Sequence, residues 1–221
     1  MKAFPAEQIP TYQTDWGADK KMYLTQWGTH ADRGTPVQGL HIANFYFFMA
    51  EYNATHNNYI AAAMSAVNLA LKSPGATHEG GTGHPEKITL LAPHLYTKPF
   101  RHLFSGDKNL LAASVTQADA APVGEAVKAL AAAGPDECKY LYLINSGPAI
   151  SLGRLTVDGE ALPGDLRVQV ESAFSDAGAA SDPGASAPAR SFAGEESISG
   201  VVLEPFSLTL LILPKSLGKT P

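Results

Sequence analysis

The sequence predicts an α+β protein in which a region of mixed strands and helices precedes an antiparallel β-sandwich. Residues 37–52 repeat apolar side chains at helical spacing, as in Ile42, Phe45, Tyr46 and Met49. From Asn109 onward the pattern changes to short apolar runs separated by Gly-, Pro- and Asp-containing turns. With 221 residues, of which 45% are hydrophobic, the chain can form one large domain or two small ones.

A strand that ends in a polar residue is predicted near the N-terminus, within residues 21–30. Side chains alternate along a strand, so Met22, Leu24 and Gln26 are expected to share one face. An apolar series that ends in one polar group and continues into Trp27 and Gly28 is typical of a strand that emerges into a site. In a (β/α)8 barrel, active-site groups occupy this position at the carboxyl ends of the strands.

The helix at residues 37–52 is apolar around most of its circumference, which predicts burial on most sides. His41 on this helix is interpreted as a satisfied or half-exposed side chain without a catalytic role. Residues 59–71 contain many alanines, and their periodicity alone allows a further helix. Residues 88–106 are expected to form a strand or turn and then a helix that starts at Pro93, is interrupted at Pro99 and stops at Gly106.

A glycine- and proline-rich loop is predicted at residues 73–87. It contains His78, Glu79 and His84, which could in principle bind a metal ion. Their spacing matches no zinc motif of known specificity, and metal ligands need positioned supporting groups. No metal site is therefore predicted, and a flexible loop is the preferred interpretation.

The second half of the chain is expected to contain seven strands separated by turns such as Gly134-Pro135-Asp136 and Asp158-Gly159. The predicted strands cover residues 110–116, 126–132, 140–145, 152–157, 166–170, 201–203 and 207–213. Residues 126–132 could equally be helical because they are rich in alanine. Residues 175–193 are biased towards Ala, Ser, Gly, Asp and Pro, and are predicted to be a mobile excursion between two strands.

Several of these segments resemble retaining glycoside hydrolases of clan A. Leu24-Thr25-Gln26-Trp27-Gly28 resembles their strand-seven motif, in which Thr-Glu-Trp carries the catalytic nucleophile; Gln26 stands here in place of that glutamate. Ala92-Pro93-His94-Leu95-Tyr96, with Phe100 to Gly106, resembles the last barrel helix of families 51 and 39. Leu141-Tyr142-Leu143-Ile144-Asn145 and Pro205-Phe206-Ser207-Leu208-Thr209-Leu210 resemble strands of the sandwich in family 51.

The resemblance implies a domain division and a set of site residues. Residues 1–106 would form the last strands and helices of a (β/α)8 barrel, with strand eight at residues 64–69, and residues 107–221 a β-sandwich accessory domain. Trp27 could equally be a core residue between strand and helix, and His30 a satisfied loop histidine. The implied site residues are Gln26 at the position of the nucleophile, and Trp27, His30, Asn68 and His84 as contacts to the sugar.

The resemblance implies a fragment or an inactive relative of an arabinofuranosidase- or xylosidase-like enzyme. An amide cannot ionise, so Gln26 cannot act as the nucleophile of a double displacement. The strand that carries the acid/base residue in clan A is also expected to lie outside this chain. A non-catalytic carbohydrate-binding or assembly module is the alternative, and a degenerate product without activity is a third interpretation.

Composition narrows the range of partners. The net charge is −5 and no basic cluster is present, which argues against nucleic acid. Cys138 is the single cysteine, so no internal disulfide can form, and no apolar run reaches the roughly 20 residues that a membrane span needs. No signal peptide is evident, and the compartment is left open. The expected partners are a carbohydrate and either a missing N-terminal barrel portion or a second copy of the chain; no cofactor is expected.

Overall fold

The computed structural model describes residues 15, 22–27, 35–56, 60–64, 70–72, 88–90, 92–104, 108–116, 126–175 and 189–215. For residues 22–27, 52–56, 60–64, 70–72 and 88–90 it describes the course of the backbone. The helices are α1 (Pro36–His56), α2 (Ala92–Thr97) and α3 (Arg101–Phe104), and a 3-10 turn (Lys98–Phe100) joins α2 to α3. The strands of the first half are β1 (Met22–Trp27), β2 (Ile60–Met64), β3 (Ala70–Lys72) and β4 (Ile88–Leu90).

In the described part of the second half, the regular elements are strands and one 3-10 turn (Ile198–Gly200). The strands are β5 (Asn109–Leu111), β6 (Val127–Ala133), β7 (Lys139–Asn145), β8 (Ile150–Ser151), β9 (Thr156–Val157), β10 (Glu160–Ala161), β11 (Arg167–Ser175), β12 (Ala189–Ser197), β13 (Val202–Leu203) and β14 (Ser207–Leu213). Six of them form one antiparallel sheet in the order β12-β11-β14-β7-β6-β5. The antiparallel pairs β9–β10 and β8–β13 lie outside this sheet.

The first strands form a β-α-β unit. β1 and β2 pair in parallel, with Met22 opposite Ile60 and Trp27 opposite Met64, and α1 lies between them in the sequence. Parallel strands need a crossover connection of this kind, because a tight hairpin can join only antiparallel strands. β3 and β4 pair antiparallel with each other.

The start of helix α1 follows from its sequence. Pro36 is the first helical residue, where the missing N–H is not needed, and the Thr35 hydroxyl accepts a hydrogen bond from the Gln38 N–H at 3.4 Å. Gly39 sits against α2: a Cβ atom placed there would lie 2.5 Å from Cδ2 of Tyr96. Only glycine permits this approach, so Gly39 fixes how closely the two helices pack.

One face of the six-stranded sheet packs against the helices; we call it the helix-covered face. Tyr142 is fully buried there, and its ring stacks on Phe100 with centroids 5.2 Å apart and planes 5° apart. Tyr46 of α1 meets the edge of Phe100 at 4.9 Å. This core consists of Leu40, Ala43, Phe47, Ala92, Tyr96, Phe100, Leu103, Leu130, Ala132, Tyr140, Tyr142, Ile144, Ala173, Leu208 and Leu210.

The opposite face packs against the short strands and loops of the second half, and we call it the strand-covered face. Its core is aliphatic and consists of Val127, Leu143, Val168, Val170, Ile198, Val201, Leu203, Leu211 and Leu213. Asn145 closes one end of this layer: its amide nitrogen donates to the carbonyls of Pro148, Leu203 and Glu204 at 2.7 to 3.1 Å. The asparagine that ends the leucine-rich strand therefore ties three backbone segments together.

Most predicted elements are confirmed, with some changes in length. The helix predicted at residues 37–52 is α1, and the helix expected after Pro93 is interrupted at Pro99 by the 3-10 turn. The strand at 207–213 has the predicted ends, and residues 126–132 form the strand β6 rather than a helix. The strand predicted at 110–116 ends at Leu111, and of the strand predicted at 152–157 only Thr156–Val157 (β9) is present.

One prediction of secondary structure is wrong, and another is tested only at its first residue. The structure describes a strand at Ile60–Met64, and of the strand predicted at residues 64–69 only Met64, opposite Trp27, lies in the described part of the chain. The excursion expected at residues 175–193 is too long at both ends: Ser175 belongs to β11, and residues from Ala189 onward form β12. Pairing with β11 along nine residues stabilises β12 despite its small and polar side chains.

Candidate functional site

The candidate site is the edge where β1 and β2 end together. Because the two strands are parallel, their carboxyl ends, at Trp27 and Met64, lie side by side. The register shifts just before this edge: Leu24 is opposite Ala62 and Trp27 is opposite Met64, so Thr25 and Gln26 together face the single residue Ala63. Such bulges are over-represented beside active sites, where they redirect side chains.

The bulge corrects one detail of the sequence prediction. Simple alternation predicts that Gln26 shares a face with Met22 and Leu24. An extra residue between Leu24 and Trp27 interrupts that alternation, so the face of Gln26 does not follow from counting. Gln26 and Trp27 nevertheless lie at the carboxyl end of a strand, where the sequence predicts them.

The other predicted site residues lie outside the described part of the chain. These are His30, Asn68 and His84. The loop histidine His78 and its neighbour Glu79 also lie outside the described residues. Their contacts to sugar remain predictions.

The β-α-β unit is positioned by α1, which touches the six-stranded sheet and helix α2. Lys128 of β6 donates from its ammonium group to the side-chain oxygen of Asn44 on α1 at 2.9 Å. The hydroxyl of Tyr96 donates to the carbonyl of Phe206, and the hydroxyl of Tyr142 donates to the carbonyl of Pro99 at 3.3 Å. Aromatic packing and these hydrogen bonds hold the helices and the sheet together.

Among the described residues, a second polar cluster lies where α3 meets the sheet. Glu171 of β11 accepts from Arg101, and its Oε1 lies 3.1 Å from Nε2 of His102. The ring of His102 stacks on Tyr140 at 5.7 Å, and the Tyr140 hydroxyl donates to Asp136 at 2.6 Å. Sequence reasoning did not single out this cluster. The feature that could have indicated it is Glu171, a carboxylate at a position of β11 that faces the helices.

The shifted pKa values in this cluster have simple causes. Burial, followed by the hydrogen bond to Asp136, raises the pKa of Tyr140 to about 12. The same hydrogen bond lowers the pKa of the exposed Asp136 carboxyl. Each group is stabilised in its ordinary charge state, neutral for the phenol and ionised for the carboxylate. The cluster therefore reads as a structural link between α3 and the sheet rather than as a catalytic pair.

The described residues offer no group of three or more His, Cys, Asp or Glu side chains that could hold a metal ion. Among the described helices, none is both long and apolar enough to cross a membrane. At the candidate edge, the described residues with polar or aromatic side chains are Gln26 and Trp27 of β1. The amide of Gln26 can donate and accept hydrogen bonds, and the indole of Trp27 offers an aromatic face and one N–H donor.

Comparison with solved structures relates this architecture to glycoside hydrolases. An arabinofuranosidase superposes on 87% of the chain with a TM-score of 0.56 and 13% sequence identity. The family 51 arabinofuranosidase from Xanthomonas axonopodis pv. citri matches 93% of the chain, with a TM-score of 0.56 and 14% identity. A family 86 β-porphyranase from Bacteroides plebeius matches 95%, with a TM-score of 0.52 and 11% identity.

The similarity to these three structures is a similarity of fold. The matched region is 43% of each arabinofuranosidase chain and 37% of the porphyranase chain, so this chain spans about two-fifths of their length. No protein-family model matches the sequence, and no curated protein matches it. The fold, a β-α-β unit followed by an antiparallel sheet, is thus similar to part of the fold of these structures.

Proposed function

We propose that this chain is the C-terminal part, or an inactive relative, of a retaining glycoside hydrolase with arabinofuranosidase- or xylosidase-like architecture. In this proposal β1, α1 and β2 belong to the last strands and helices of a (β/α)8 barrel, and the six-stranded sheet belongs to the accessory sandwich. The observation that carries the proposal is the parallel pairing of β1 with β2, because it brings Gln26 and Trp27 to a strand edge of the kind that carries active sites.

The order of the elements supports the same origin. A parallel β-α-β unit comes first, then the interrupted helix at residues 92–104, then the sheet that ends with β14. The likeness to the two arabinofuranosidase structures extends over 87% and 93% of the chain, so it includes more than the sheet alone. A shared sandwich alone would account for only the second half of that match.

The proposed role for the site is to bind sugar without cleaving it. Retaining hydrolysis needs two carboxyl groups about 5 Å apart, one of which forms a covalent bond to the sugar. Gln26 replaces that nucleophile with a neutral amide, which can hydrogen-bond to a sugar hydroxyl but cannot attack the anomeric carbon. Trp27 would stack on the sugar ring, and His30, Asn68 and His84 would supply polar contacts.

Titration of the chain with arabino- and xylo-oligosaccharides tests this role. We expect saturable binding by calorimetry and no released sugar. Trp27→Ala should weaken binding about tenfold, because an aromatic contact of this kind contributes on the order of 1 kcal/mol. Phe192→Ala removes an aromatic ring 40% exposed on the sheet and should leave binding unchanged. Undiminished binding by Trp27→Ala contradicts the proposed site.

The position of Gln26 is tested by restoring the carboxylate. The Gln26→Glu variant, joined to the upstream barrel portion of a related full-length hydrolase, should raise hydrolysis by several orders of magnitude over the Gln26 form. The DNA sequence that precedes the Met1 codon gives an independent test, since the proposal of a C-terminal part expects a strand carrying Asn-Glu there. Failure of the glutamate to restore activity would remove Gln26 from the nucleophile position.

The second candidate function is a non-catalytic carbohydrate-binding module built on the sheet. Phe192 favours it, because its exposed ring lies on an outer strand of an intact six-stranded sheet. The same pair of variants separates the two candidates. Loss of sugar binding in Phe192→Ala, with binding kept in Trp27→Ala, would support the module and contradict the site at the end of β1.

A further inference from the structure

Strand β12 forms one outer edge of the six-stranded sheet. It pairs with β11 along its whole length, from Ser197 opposite Arg167 to Ala189 opposite Ser175. Its other edge pairs with none of the strands that the structure describes. The strand is nine residues long and contains no proline, no lysine and no register shift against β11. An edge of this length without proline, lysine or a bulge can pair with another strand, provided that the partner's charges complement Arg190, Glu195 and Glu196.

The sequence of β12 is complementary to itself when two copies run antiparallel. With Ala193 opposite Ala193, each Arg190 stands opposite the partner's Glu196, and Ser191 stands opposite the partner's Glu195. Opposite charges placed directly across an antiparallel pair are stabilising, and like charges are destabilising. We propose that two copies of this chain associate through β12, around a twofold axis at Ala193, and join their two sheets into one.

The aromatic residue of β12 also suits this pairing. Phe192 is 40% exposed, and its ring lies over Gly194 of its own strand, where a Cβ atom would come within 2.8 Å of Cζ. In the proposed pair each Phe192 stands opposite the partner's Gly194, which has no side chain to compete for the space. Each edge glycine then has two aromatic rings beside it, its own strand's Phe192 and the partner's Phe192. Aromatic rings packed beside glycine stabilise glycine in sheets.

Alternative registers are less favourable. A shift that places Phe192 opposite Phe192 overlaps seven residues of each strand instead of nine, and moves Arg190 opposite glycine. A shift by one residue would join the two sheets so that the helix-covered face of one copy continues into the strand-covered face of the other. The register centred on Ala193 is thus the one that combines full overlap of β12 with both Arg190–Glu196 pairs.

Sedimentation equilibrium of the full chain over a range of concentrations tests the pairing. We expect a dimer, twice the 23.3 kDa of the chain. Arg190→Glu and Glu196→Arg each place like charges opposite one another twice per dimer, and should raise the dissociation constant about tenfold. The double variant R190E/E196R should restore the dimer. Glu160→Arg makes the same charge change on the exposed β10 hairpin and should have no effect.

Cysteine cross-linking tests the register. In a Cys138→Ser background, Ala193→Cys should form a disulfide-linked dimer under mild oxidation, because the two side chains face each other at the axis. Phe192→Cys should not, since it faces the partner's Gly194. A chain that is monomeric at all concentrations, a charge-swapped double variant that stays dissociated, or cross-linking through residue 192 instead of 193 would overturn the proposal.

Discussion

The two faces of the six-stranded sheet are built differently. The helix-covered face is aromatic, and the two hydroxyls of Tyr96 and Tyr142 donate across the layer to backbone carbonyls. The strand-covered face is aliphatic, and the buried hydroxyls of Ser207 and Thr209 have no hydrogen-bond partner in the described part of the chain. The tyrosine hydroxyls thus fix orientation within the first layer, whereas in the second layer two hydroxyls are buried at a cost and Asn145 makes its hydrogen bonds at one end.

This difference indicates which layer holds the helix between β1 and β2 in place. Packing without hydrogen bonds tolerates small shifts, but a tyrosine hydroxyl bonded to one carbonyl fixes both the distance and the direction of the contact. Helix α1, which lies between β1 and β2 in the sequence, packs on the face that has these bonds. The position of α1 therefore depends on the aromatic layer more than on the aliphatic one.

Removing the central ring of the aromatic layer should have the largest effect. Phe100 is 1% exposed and contacts Tyr46, Phe47 and Tyr142. Phe100→Ala should lower the free energy of unfolding by about 3–5 kcal/mol, because it leaves a cavity between helices and sheet. Urea unfolding followed by circular dichroism measures this, with the half-exposed Phe192→Ala as the control. If the helical and sheet signals of the unsubstituted protein were lost at different urea concentrations, the helices and the sheet would not unfold as one unit, and this expectation would be contradicted.

Alkaline pH should weaken the helix-covered face selectively. Tyr46, Tyr96, Tyr140 and Tyr142, the tyrosines whose side chains are described, all lie on that side, and burial raises the pKa of each. A raised pKa in the folded state means that the stabilisation is complete below pH 10, the ordinary tyrosine value, and is lost as the pH rises through the folded pKa. For Tyr140 that window lies between about pH 10 and about 12.

Tyr142→Phe should make this pH dependence shallower. Each such tyrosine contributes a slope of about 1.4 kcal/mol per pH unit once the unfolded side chain ionises, so the variant should lose one such contribution. Urea midpoints between pH 8 and 11.5 give the slopes, and the phenylalanine ring keeps the stacking on Phe100. An unchanged slope in the variant would show that Tyr142 ionises equally in both states.

The smallest predicted effect is an increase in stability rather than a decrease. Thr209 is 1% exposed on the strand-covered face, and its hydroxyl is one of the two without a partner there. Thr209→Val keeps the shape and removes the buried polar atom, so it should stabilise the protein by about 1 kcal/mol. Thr156→Val, at an exposed position, should change the stability by less than about 0.5 kcal/mol. A destabilised Thr209→Val would mean that the hydroxyl is satisfied.

The sequence predicted the strands of the sheet well where their apolar side chains form a clear strand pattern. The run Leu141 to Asn145 alternates between the two cores, and the strand at residues 207–213 was found with its observed ends. The prediction failed for β12, a strand that forms because of its pairing with a neighbouring strand rather than because of its own side chains. β12 contains alanine, serine, glycine and glutamate, which have little strand preference, and it forms because β11 pairs with it along nine residues.

The site was predicted only in part for a similar reason. The position of Gln26 and Trp27 at a strand end follows from the apolar run before them, and the structure places them at that end. The register between β1 and β2 depends on contacts distant in sequence, so neither the bulge at Thr25 and Gln26 nor the end of β2 at Met64 could be read from local patterns. The contacts implied for His30, Asn68 and His84 rest on resemblance alone.

The most direct test of the account is an NMR titration that observes the tryptophan indoles. The chain has two tryptophans, Trp16 and Trp27, and Trp27→Phe assigns their signals. With arabino- or xylo-oligosaccharide added to millimolar concentration, we predict a saturable shift of the Trp27 indole resonance. A Trp27 resonance unmoved by both sugars at saturating concentrations would contradict a sugar site at the carboxyl end of β1.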